Sequence, residues 1–191
     1  MRKMIGAMKI SIDGKTEGPE GYADWVDAWS DDFGLTPQID TCVLGGGMYP
    51  NYEQYWTAIQ DAPDEPNPMG VGAPTKPEVE WARFAAATPH YVLSRTLTTA
   101  KWPQTTILRG LDEIELLKQD QSDKDIYLMG GAGILRACLE AGLVDELRFI
   151  IHPLIAGEGT PLFTAPERHG LELRHVDGLS DGRVSLVYGI S

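Results

Sequence analysis

Short apolar segments alternate with segments of helical periodicity over the first three quarters of the chain. Short, continuous apolar runs are typical of strands that are covered on both faces of a parallel sheet. The alternation of strands with helices indicates the α/β class of fold. The pattern predicts strands at residues 4–12, 41–44, 91–93, 105–108 and 126–129.

Four segments show the periodicity of amphipathic helices. The clearest one places Ile134, Leu135 and Cys138 on one stripe, and Gly142 follows it as a stop signal. Residues 57–77 contain five prolines and two glycines, so we predict a long loop there, of the kind that is usually functional or mobile. The predicted helices are residues 49–59, 78–87, 111–119 and 132–141.

The last quarter of the chain has a different pattern. Residues 146–151, 171–176 and 184–190 have the composition of strands, with no helix of ordinary length between them, and Ser180-Asp181-Gly182 supplies hairpin turn chemistry. This pattern predicts an antiparallel end on a mostly parallel sheet. We therefore predict a single domain, residues 1–191, in which helices cover both faces of a mixed sheet of about eight strands.

Charge and composition exclude several classes of function. The chain has 28 acidic and 16 basic residues, and its formal net charge of −12 argues against binding to nucleic acid or to an anionic membrane. No apolar run is long enough to span a bilayer. Lys9 and Asp13 interrupt the apolar run near the N-terminus, so it is too short for the core of a signal peptide. We therefore expect a cytoplasmic protein. Cys42, Cys138 and the histidines form no metal-binding motif, so we predict no metal site.

The strongest local motif is a glycine-rich turn between the strand at residues 126–129 and the next helix. Gly130, Gly131 and Gly133 let the main chain approach a ligand, and the first N–H groups of the helix would point at it with the positive end of the helix dipole. A pyrophosphate fits such a turn. Arg136 replaces the last glycine of the Rossmann fingerprint, and the ending of a P-loop is absent. A tight turn without a ligand is the alternative.

Two further junctions are predicted to open at the same edge of the sheet. Three glycines at residues 45–47 follow the second strand, and Ser94, Arg95 and Thr96 end the third. Ligands of α/β sheets bind at the carboxyl edge. An arginine between two hydroxyl groups offers donors for a phosphate monoester, although an ordinary solvated strand end is the alternative. Three junctions at one edge favour a dinucleotide, and Arg95 favours one with a 2′-phosphate.

Six segments together resemble a known family. They are Ser-Ile-Asp-Gly at residues 11–14, Leu-Gly-Gly-Gly-Met-Tyr at 44–49, Tyr-Val-Leu-Ser-Arg-Thr-Leu at 91–97, Gly-Gly-Ala-Gly-Ile-Leu at 130–135, Gly-Leu-Val-Asp-Glu-Leu at 142–147 and the segment 152–163. In this order they resemble the dihydrofolate reductase superfamily, most closely the RibD C-terminal reductase domain of riboflavin biosynthesis and its stand-alone relatives. The resemblance covers nearly the whole chain and implies a three-layer αβα sandwich.

The resemblance also implies that NADPH lies across the carboxyl edge of the sheet. Residues 130–135 would bind the pyrophosphate, residues 94–96 the adenosine 2′-phosphate, and the first strand would contact the nicotinamide. Relatives often carry an arginine and a threonine where Gly46 and Met48 stand, so residues 45–49 would offer backbone donors only. The implied cofactor-binding residues are Ala7, Gly45, Gly46, Gly47, Met48, Ser94, Arg95, Thr96, Met129, Gly130, Gly131, Ala132, Gly133, Ile134 and Leu135.

A reductase also needs an acid, because hydride transfer to a heterocycle consumes a proton. Asp13 is one candidate, since the resemblance places the turn after the first strand at the substrate side; a turn-forming Asp-Gly pair is the alternative. Asp27 is the other candidate. It lies close in sequence to Trp25 and Trp29, and an indole neighbour would raise the pKa of a carboxyl. A solvated acidic helix face is the alternative there.

These observations predict an NADPH-dependent reductase of a small heterocyclic substrate. The resemblance implies chemistry of the 5-amino-6-(5-phosphoribosylamino)uracil reductase or dihydrofolate reductase type. A non-catalytic NADP-binding sensor or interaction module is the alternative from a different class. The free edge of an antiparallel sheet end also predicts a homodimer.

Overall fold

Eight strands form one mixed sheet in the computed structural model, which describes residues 1–26, 33–67, 72–164 and 168–191. In chain order, the strands of the described residues are β1 (Met4–Ser11), β2 (Lys15–Glu17), β3 (Ile39–Gly45), β4 (His90–Leu93), β5 (Thr105–Leu108), β6 (Asp125–Gly130), β7 (Glu146–His152), β8 (Thr160–Pro161), β9 (Leu171–Gly178) and β10 (Val184–Ile190). The helices are α1 (Tyr49–Asp61), α2 (Lys76–Ala87), α3 (Leu111–Gln119) and α4 (Ala132–Glu140).

The spatial order of the large sheet is β5-β4-β3-β6-β1-β7-β10-β9. The strands from β5 to β7 in this order pair in parallel, whereas β10 is antiparallel to both β7 and β9. Parallel neighbours require crossover connections, which place helices on the faces of the sheet. The predicted α/β fold, with a mostly parallel eight-stranded sheet and an antiparallel end, is confirmed.

Alternating strand residues face two separate hydrophobic cores. In β3, Cys42 and Leu44 pack with residues of α1 and α2, whereas Val43 packs with residues of α3 and α4. β6 alternates in the same way, with Tyr127 in the first core and Leu128 in the second. Because both faces of each strand are buried, the strands have continuous apolar sequences. The three layers are therefore α1 with α2, the sheet, and α3 with α4.

The helices on either side of the proline-rich segment extend further than the sequence predicts. α1 continues to Asp61 and α2 begins at Lys76, which leaves residues 62–75 between them, of which 68–71 lie outside the described residues. Pro77 does not break α2, because a proline in the first helical turn lacks only an N–H group that has no helical partner there. Thr75 and Glu78 form a capping box at this start.

A second, antiparallel pair of strands was not predicted. β2 and β8 pair with each other outside the large sheet. They are three and two residues long, too short to show an alternating pattern. Backbone hydrogen bonds from Ile12 N–H to the Leu154 carbonyl (2.9 Å) and from Leu162 N–H to the Gly14 carbonyl (2.8 Å) hold the same two segments together.

β9 is an edge strand of the large sheet. All eight of its residues are exposed, including Leu171, Leu173 and Val176. An exposed apolar edge offers a surface for pairing with another chain. The homodimer stays a prediction, and β9 is its candidate interface.

Candidate functional site

A cavity of about 1220 Å³ lies at the carboxyl ends of β3 and β6. Gly45 at the end of β3, Gly131 after β6 and Met8 of β1 contribute to its lining. Sites for one small ligand usually enclose about 300–1,000 Å³, so this cavity has room for more than one small molecule. Open α/β sheets bind ligands at this position, which makes the cavity the candidate functional site.

One wall of the cavity consists of glycine turns, and we define this glycine edge by Gly45, Gly47, Gly131 and Gly133. All four residues line the cavity. A Cβ atom at Gly47, Gly131 or Gly133 would meet no atom within 4 Å beyond those of the adjoining main chain, so the main chain borders open space there. Backbone N–H groups at the glycine edge are therefore accessible to a ligand without an intervening side chain.

Two helices begin at the glycine edge, and neither start is capped. α4 has Gly131 as its N-cap residue and α1 has Met48; no side chain caps either start, and neither first turn contains an acidic residue. The cap-to-helix hydrogen bonds run from Leu135 N–H to the Gly131 carbonyl and from Tyr52 N–H to the Met48 carbonyl. N–H groups that precede these bonds have no helical acceptor, and the helix dipole adds partial positive charge. This arrangement suits a bound anion.

The three junctions predicted from the sequence lie side by side. A Cβ atom at Gly46 would collide with the side chain of Ser94, which explains why this position is a glycine. A Cβ atom at Gly45 would lie 3.6 Å from Ile134 Cγ2 of α4. The turn after β3 therefore contacts both the turn after β4 and the start of α4.

Residues 45–49 were predicted to offer backbone N–H groups to the cofactor, but two of these groups donate to carbonyl groups of the protein itself. The Gly46 N–H donates to the Leu93 carbonyl (3.0 Å), and the Met48 N–H donates to the Gly45 carbonyl (3.1 Å). These bonds fix the turn, so a ligand would have to use other N–H groups of this segment. Gly47 is the glycine of the segment that faces open space and lines the cavity.

Two arginines flank Ser94 beyond the lining of the cavity. The Ser94 hydroxyl accepts hydrogen bonds from the N–H groups of Thr96 (3.3 Å) and Leu97 (3.0 Å), which shapes the turn that carries the exposed Arg95. Arg109, directly after β5, donates to the Ser94 carbonyl. Arg109 was not predicted from the sequence. The sequence feature that could have identified Arg109 is its position directly after a predicted strand, at the same edge of the sheet as Arg95.

Four predicted cofactor residues lie behind the cavity instead of lining it. Ala7 is 1% exposed, Met129 is 5% exposed and Leu135 is fully buried. Gly130 has a φ of +108°, which favours glycine, and a Cβ atom there would meet Met8 Sδ at 2.6 Å. Met8 is the β1 residue that reaches the cavity, because side chains alternate along a strand.

A second part of the cavity lining consists of aromatic and acidic residues. They come from the segment after β1, from α1 and from the start of α2. We call this surface the acidic wall and define it by Glu17, Tyr22, Asp24, Tyr52, Tyr55 and Glu78.

Glu78 is a buried carboxylate of the acidic wall. It accepts hydrogen bonds from the Tyr55 hydroxyl (2.5 Å), the Thr75 hydroxyl (2.7 Å) and the Thr75 N–H (2.7 Å). Burial disfavours its ionisation, but these donors outweigh burial and lower the pKa of Glu78. Burial and the Glu78 carboxylate raise the pKa of Tyr55, so the pair consists of a carboxylate and a neutral phenol.

A buried network fixes Tyr52 in the acidic wall. His90 Nδ1 lies 2.7 Å from the Thr88 carbonyl, which can only accept, so this nitrogen carries the proton. His90 Nε2 then accepts from the Tyr52 hydroxyl (3.1 Å), which in turn accepts from Trp81 Nε1 (3.2 Å). Burial lowers the pKa of His90 to about 4, so the ring is neutral and the network serves to position Tyr52.

Asp13, a predicted acid, accepts three hydrogen bonds outside the cavity lining. Oδ1 accepts from the Ser11 hydroxyl (2.6 Å) and the Ala156 N–H (3.0 Å), and Oδ2 accepts from the Gly157 N–H (3.0 Å). These donors, led by Ser11, lower the pKa of Asp13 to about 2. A carboxyl with this pKa is ionised near neutral pH and is poorly matched to proton donation there. The geometry favours the turn-forming alternative for Asp13.

The structure describes only the first part of the acidic segment at residues 22–32. Asp27, the other predicted acid, lies outside the described residues. Asp24 is exposed and lines the cavity. The Tyr22 hydroxyl donates to Glu20 Oε2 (2.9 Å), and this bond, with burial and the charge of Asp24, raises the pKa of Tyr22. Negative charge is therefore concentrated at this end of the acidic wall.

Within residues 1–26, 33–67, 72–164 and 168–191, no three His, Cys, Asp or Glu side chains are grouped so as to hold a metal ion. No helix formed by these residues has both the length and the apolar character needed to cross a membrane. Cys42 and Cys138 are buried free thiols, and burial raises the pKa of both.

Two sequence comparisons identify relatives of the chain. A family model described as the RibD C-terminal domain matches residues 2–185. The uncharacterized protein YyaP of Bacillus subtilis strain 168 is 33% identical over 192 residues, which cover 98% of this chain and 94% of that protein. Both matches therefore extend over nearly the whole chain.

Solved structures with low sequence identity have the same fold. A pyrimidine reductase-like protein from Corynebacterium diphtheriae has a TM-score of 0.63 and 15% identity, covering all of this chain and 92% of that one. Dihydrofolate reductase from Enterococcus faecalis, complexed with NADP(H), has a TM-score of 0.58 and 12% identity, covering 99% of this chain and 96% of that one. The chain belongs to the RibD C-terminal domain family and has the dihydrofolate reductase-like fold, in agreement with the resemblance found in its sequence.

Proposed function

We propose that this protein is an NADPH-dependent reductase that transfers a hydride to a small heterocyclic substrate. The observation that carries the proposal is the meeting of two uncapped helix N-termini at one glycine edge. Membership in the RibD C-terminal domain family supports the proposal, as does the likeness in fold to a dihydrofolate reductase complexed with NADP(H).

The pyrophosphate of NADPH would lie at the start of α4. Gly131 and Gly133 leave open space in front of the main chain, and the N–H groups of residues 132–134 precede the hydrogen bond from Leu135. Each favourable contact of an anion with such a helix end contributes about 0.3–1 kcal/mol. Gly47 and the start of α1 would contact the neighbouring phosphate or ribose. The residues present therefore fit a diphosphate.

The adenosine 2′-phosphate would bind to Arg95, with Arg109 beside it. A guanidinium group offers paired donors to phosphate oxygens, and Arg109 is already oriented by its bond to the Ser94 carbonyl. The exposed position of Arg95, next to the turn that contacts Gly46, supports this assignment. NADH lacks this phosphate, so the two arginines would make the protein selective for NADPH.

The chain would contribute positioning more than acid catalysis. Bound NADPH supplies the hydride. Met8 and the acidic wall would hold the acceptor heterocycle next to the nicotinamide, and such positioning supplies a large part of the rate enhancement. Reduction also consumes a proton. Glu78 is not its source, because hydrogen bonds from Tyr55 and Thr75 hold this carboxyl in its ionised form.

Fluorescence titrations with NADPH and NADH test the proposal. Wild-type protein is expected to bind NADPH more tightly, and Arg95→Ala to lose about 10- to 100-fold in NADPH affinity, the value of one charge-assisted hydrogen bond or slightly more. NADH affinity should stay unchanged. Arg83→Ala, an exposed arginine of α2 outside the cavity lining, is the matched control.

Three results would count against these assignments. Equal losses for both cofactors in Arg95→Ala would remove Arg95 from the 2′-phosphate site. Binding of neither cofactor to the wild type would contradict the proposed function. Tight NADPH binding without oxidation by any pyrimidine or pteridine acceptor would favour a non-catalytic NADP-binding module.

A further inference from the structure

We infer that the substrate of this cavity is an uncharged or cationic heterocycle that carries no phosphate group. The inference rests on the proposed function, because it assigns a substrate class to the same site. Its basis is a difference in charge between two parts of the cavity lining. The glycine edge presents helix N-termini and suits an anion, whereas the acidic wall presents carboxylates.

Three acidic residues belong to the acidic wall, and among the described residues no lysine or arginine lines the cavity with them. They are Glu17, Asp24 and Glu78. Residues 27–32, 68–71 and 165–167, which the structure leaves out, contain neither lysine nor arginine in the sequence. The negative charge of this wall is therefore not balanced by a basic side chain of the lining.

The charge of Glu78 is stabilised without being neutralised. Its hydrogen-bond donors, Tyr55 and Thr75, are uncharged groups. Glu78 is 5% exposed, so solvent screens it only weakly. A second negative charge in the cavity would therefore be repelled by a full unit charge.

The three lysines next to lining residues in the sequence do not change this picture. Lys76 follows Thr75 but pairs with Glu80 on the exposed face of α2 (3.7 Å) and does not line the cavity. Lys9 follows Met8 in β1, is half-buried and has an interaction of its own. Lys15 begins β2, next to Thr16 and Glu17. Neither Lys9 nor Lys15 lines the cavity.

Aromatic rings of α1, in the acidic wall and next to it, suit a flat heterocycle. Tyr52, Tyr55 and Trp56 of α1 line the cavity, and the rings of Tyr55 and Trp56 meet edge to face at 4.9 Å. Aromatic faces attract planar rings and also cations. Because the Tyr55 hydroxyl donates its proton to Glu78, its oxygen is left to accept a hydrogen bond from a ligand N–H group.

A phosphate ester would have poor partners at the acidic wall. Phosphates in proteins are bound by arginine, lysine or helix N-termini. The uncapped helix starts lie at the glycine edge, where the proposed cofactor already has two phosphates. A phosphoribosyl substrate would instead place its dianion beside Glu17, Asp24 and Glu78.

The test uses two matched pairs of probes that differ only in a phosphate. They are 5-amino-6-ribosylaminouracil with its 5′-phosphate, and neopterin with its monophosphate. Binding of NADP⁺ to the protein is measured first, and calorimetry then gives the Kd of each probe for the NADP⁺-saturated protein. In at least one pair, the unphosphorylated probe is expected to bind about tenfold or more tightly than its phosphate.

Charge-reversal variants test whether the acidic wall causes the preference for unphosphorylated probes. Asp24→Arg is expected to shift the ratio of the two Kd values toward the phosphorylated probe by about tenfold. Glu115→Arg makes the same change in net charge on an exposed face of α3, outside the cavity lining, and should leave the ratio unchanged.

The outcomes that overturn the inference are separate from failure of the proposed function. Equal or tighter binding of the phosphorylated probes by the wild type, or binding of none of the four probes, would contradict the inference. An equal shift in Asp24→Arg and Glu115→Arg would also contradict it. Failure of NADP⁺ itself to bind would contradict the proposed function, and the same probe pairs would then be measured on the protein alone.

Discussion

The four helices of the described residues begin in two different ways. At α2, the Glu78 carboxylate accepts from the Thr75 N–H (2.7 Å), and at α3 the Glu113 carboxylate accepts from the Gly110 N–H (3.1 Å). At α1 and α4 no side chain caps the start, and the first turn contains no acidic residue. Two helix starts are therefore closed by carboxylates of the chain, and two are open.

The two open starts share one position in the fold, the glycine edge of the cavity. The closed start of α2 contributes Thr75 and Glu78 to another part of the cavity lining, and the start of α3 lies outside the cavity. N–H groups at a helix start need an acceptor, which is either a side chain, water or a ligand. A carboxylate at α1 or α4 would occupy the place of an external anion and repel it. Two missing caps side by side at a glycine-lined part of a cavity therefore indicate an anion-binding site.

The largest expected effect comes from closing the start of α4. Gly131→Asp would place a preferred N-cap residue in extended backbone, where a Cβ atom meets no neighbour within 4 Å. The variant should gain about a few tenths of a kcal/mol of stability and lose about 100-fold or more in NADPH affinity, because its carboxylate would repel the pyrophosphate. Urea unfolding and a fluorescence titration measure the two effects.

Gly131→Asn is the matched control for charge. It caps the helix with a side chain of the same shape but without the negative charge. Its loss of NADPH affinity should therefore be clearly smaller than that of Gly131→Asp. Equal affinities in both variants and the wild type would show that the start of α4 does not bind the pyrophosphate.

A smaller effect is expected when a closed start is opened. Glu113→Ala removes the acceptor of the Gly110 and Arg109 N–H groups at α3 and should cost about 1 kcal/mol of stability. For a chain of this size, that loss lowers Tm by about 2–4 °C. Glu113→Gln keeps an acceptor at the same position and should lose less. Glu113 also accepts from the N–H of Arg109, a proposed contact of the 2′-phosphate, so the cofactor to compare is NADH, which lacks that phosphate. NADH affinity should be unchanged in both variants, and a large loss of it would contradict the distinction between closed and open starts.

The smallest effect is expected at Asp13, whose carboxylate accepts hydrogen bonds from the N–H groups of Ala156 and Gly157. Its pKa in the folded protein, about 2, is below the usual 3.8, so ionised Asp13 stabilises the fold above about pH 4, and this contribution is lost as the pH falls toward 2. The urea midpoint of wild type should therefore exceed that of Asp13→Asn at pH 6, and the difference should shrink between about pH 4 and pH 2.

Activity distinguishes the two roles of Asp13. If it shapes the turn, the pH profile of NADPH oxidation should have the same form in wild type and Asp13→Asn. Loss of one limb of the profile in Asp13→Asn would instead restore Asp13 as the proton donor.

The sequence was sufficient to predict the sheet and its carboxyl edge. Strands buried on both faces have continuous apolar sequences, as Val43 and Leu44 illustrate, and glycines such as Gly131 mark the turns at their ends. β2 and β8 were missed because their pairing is non-local and their segments are very short. The start of α2 at Lys76 was missed because proline usually breaks a helix, although it is tolerated in the first turn, where Pro77 lies.

Details of the site depend on tertiary contacts that local sequence does not contain. We predicted that Ala7 contacts the cofactor, but Met8 lines the cavity instead. The reason is that the cavity adjoins the face of β1 to which Met8 belongs, and the local sequence does not reveal which face this is. Arg109 comes near Arg95 only because β5 pairs with β4. The turn-forming bonds of Asp13 come from Ala156 and Gly157, which are more than a hundred residues away in the chain.

A crystal structure of the protein with NADPH would show whether the pyrophosphate binds at the glycine edge. We expect pyrophosphate oxygens about 2.7–3.2 Å from backbone nitrogens of residues 131–134, with the nicotinamide ring turned toward Met8 and the acidic wall. A pyrophosphate bound away from both α1 and α4, or a glycine edge that stays free of cofactor at saturating NADPH, would contradict this expectation.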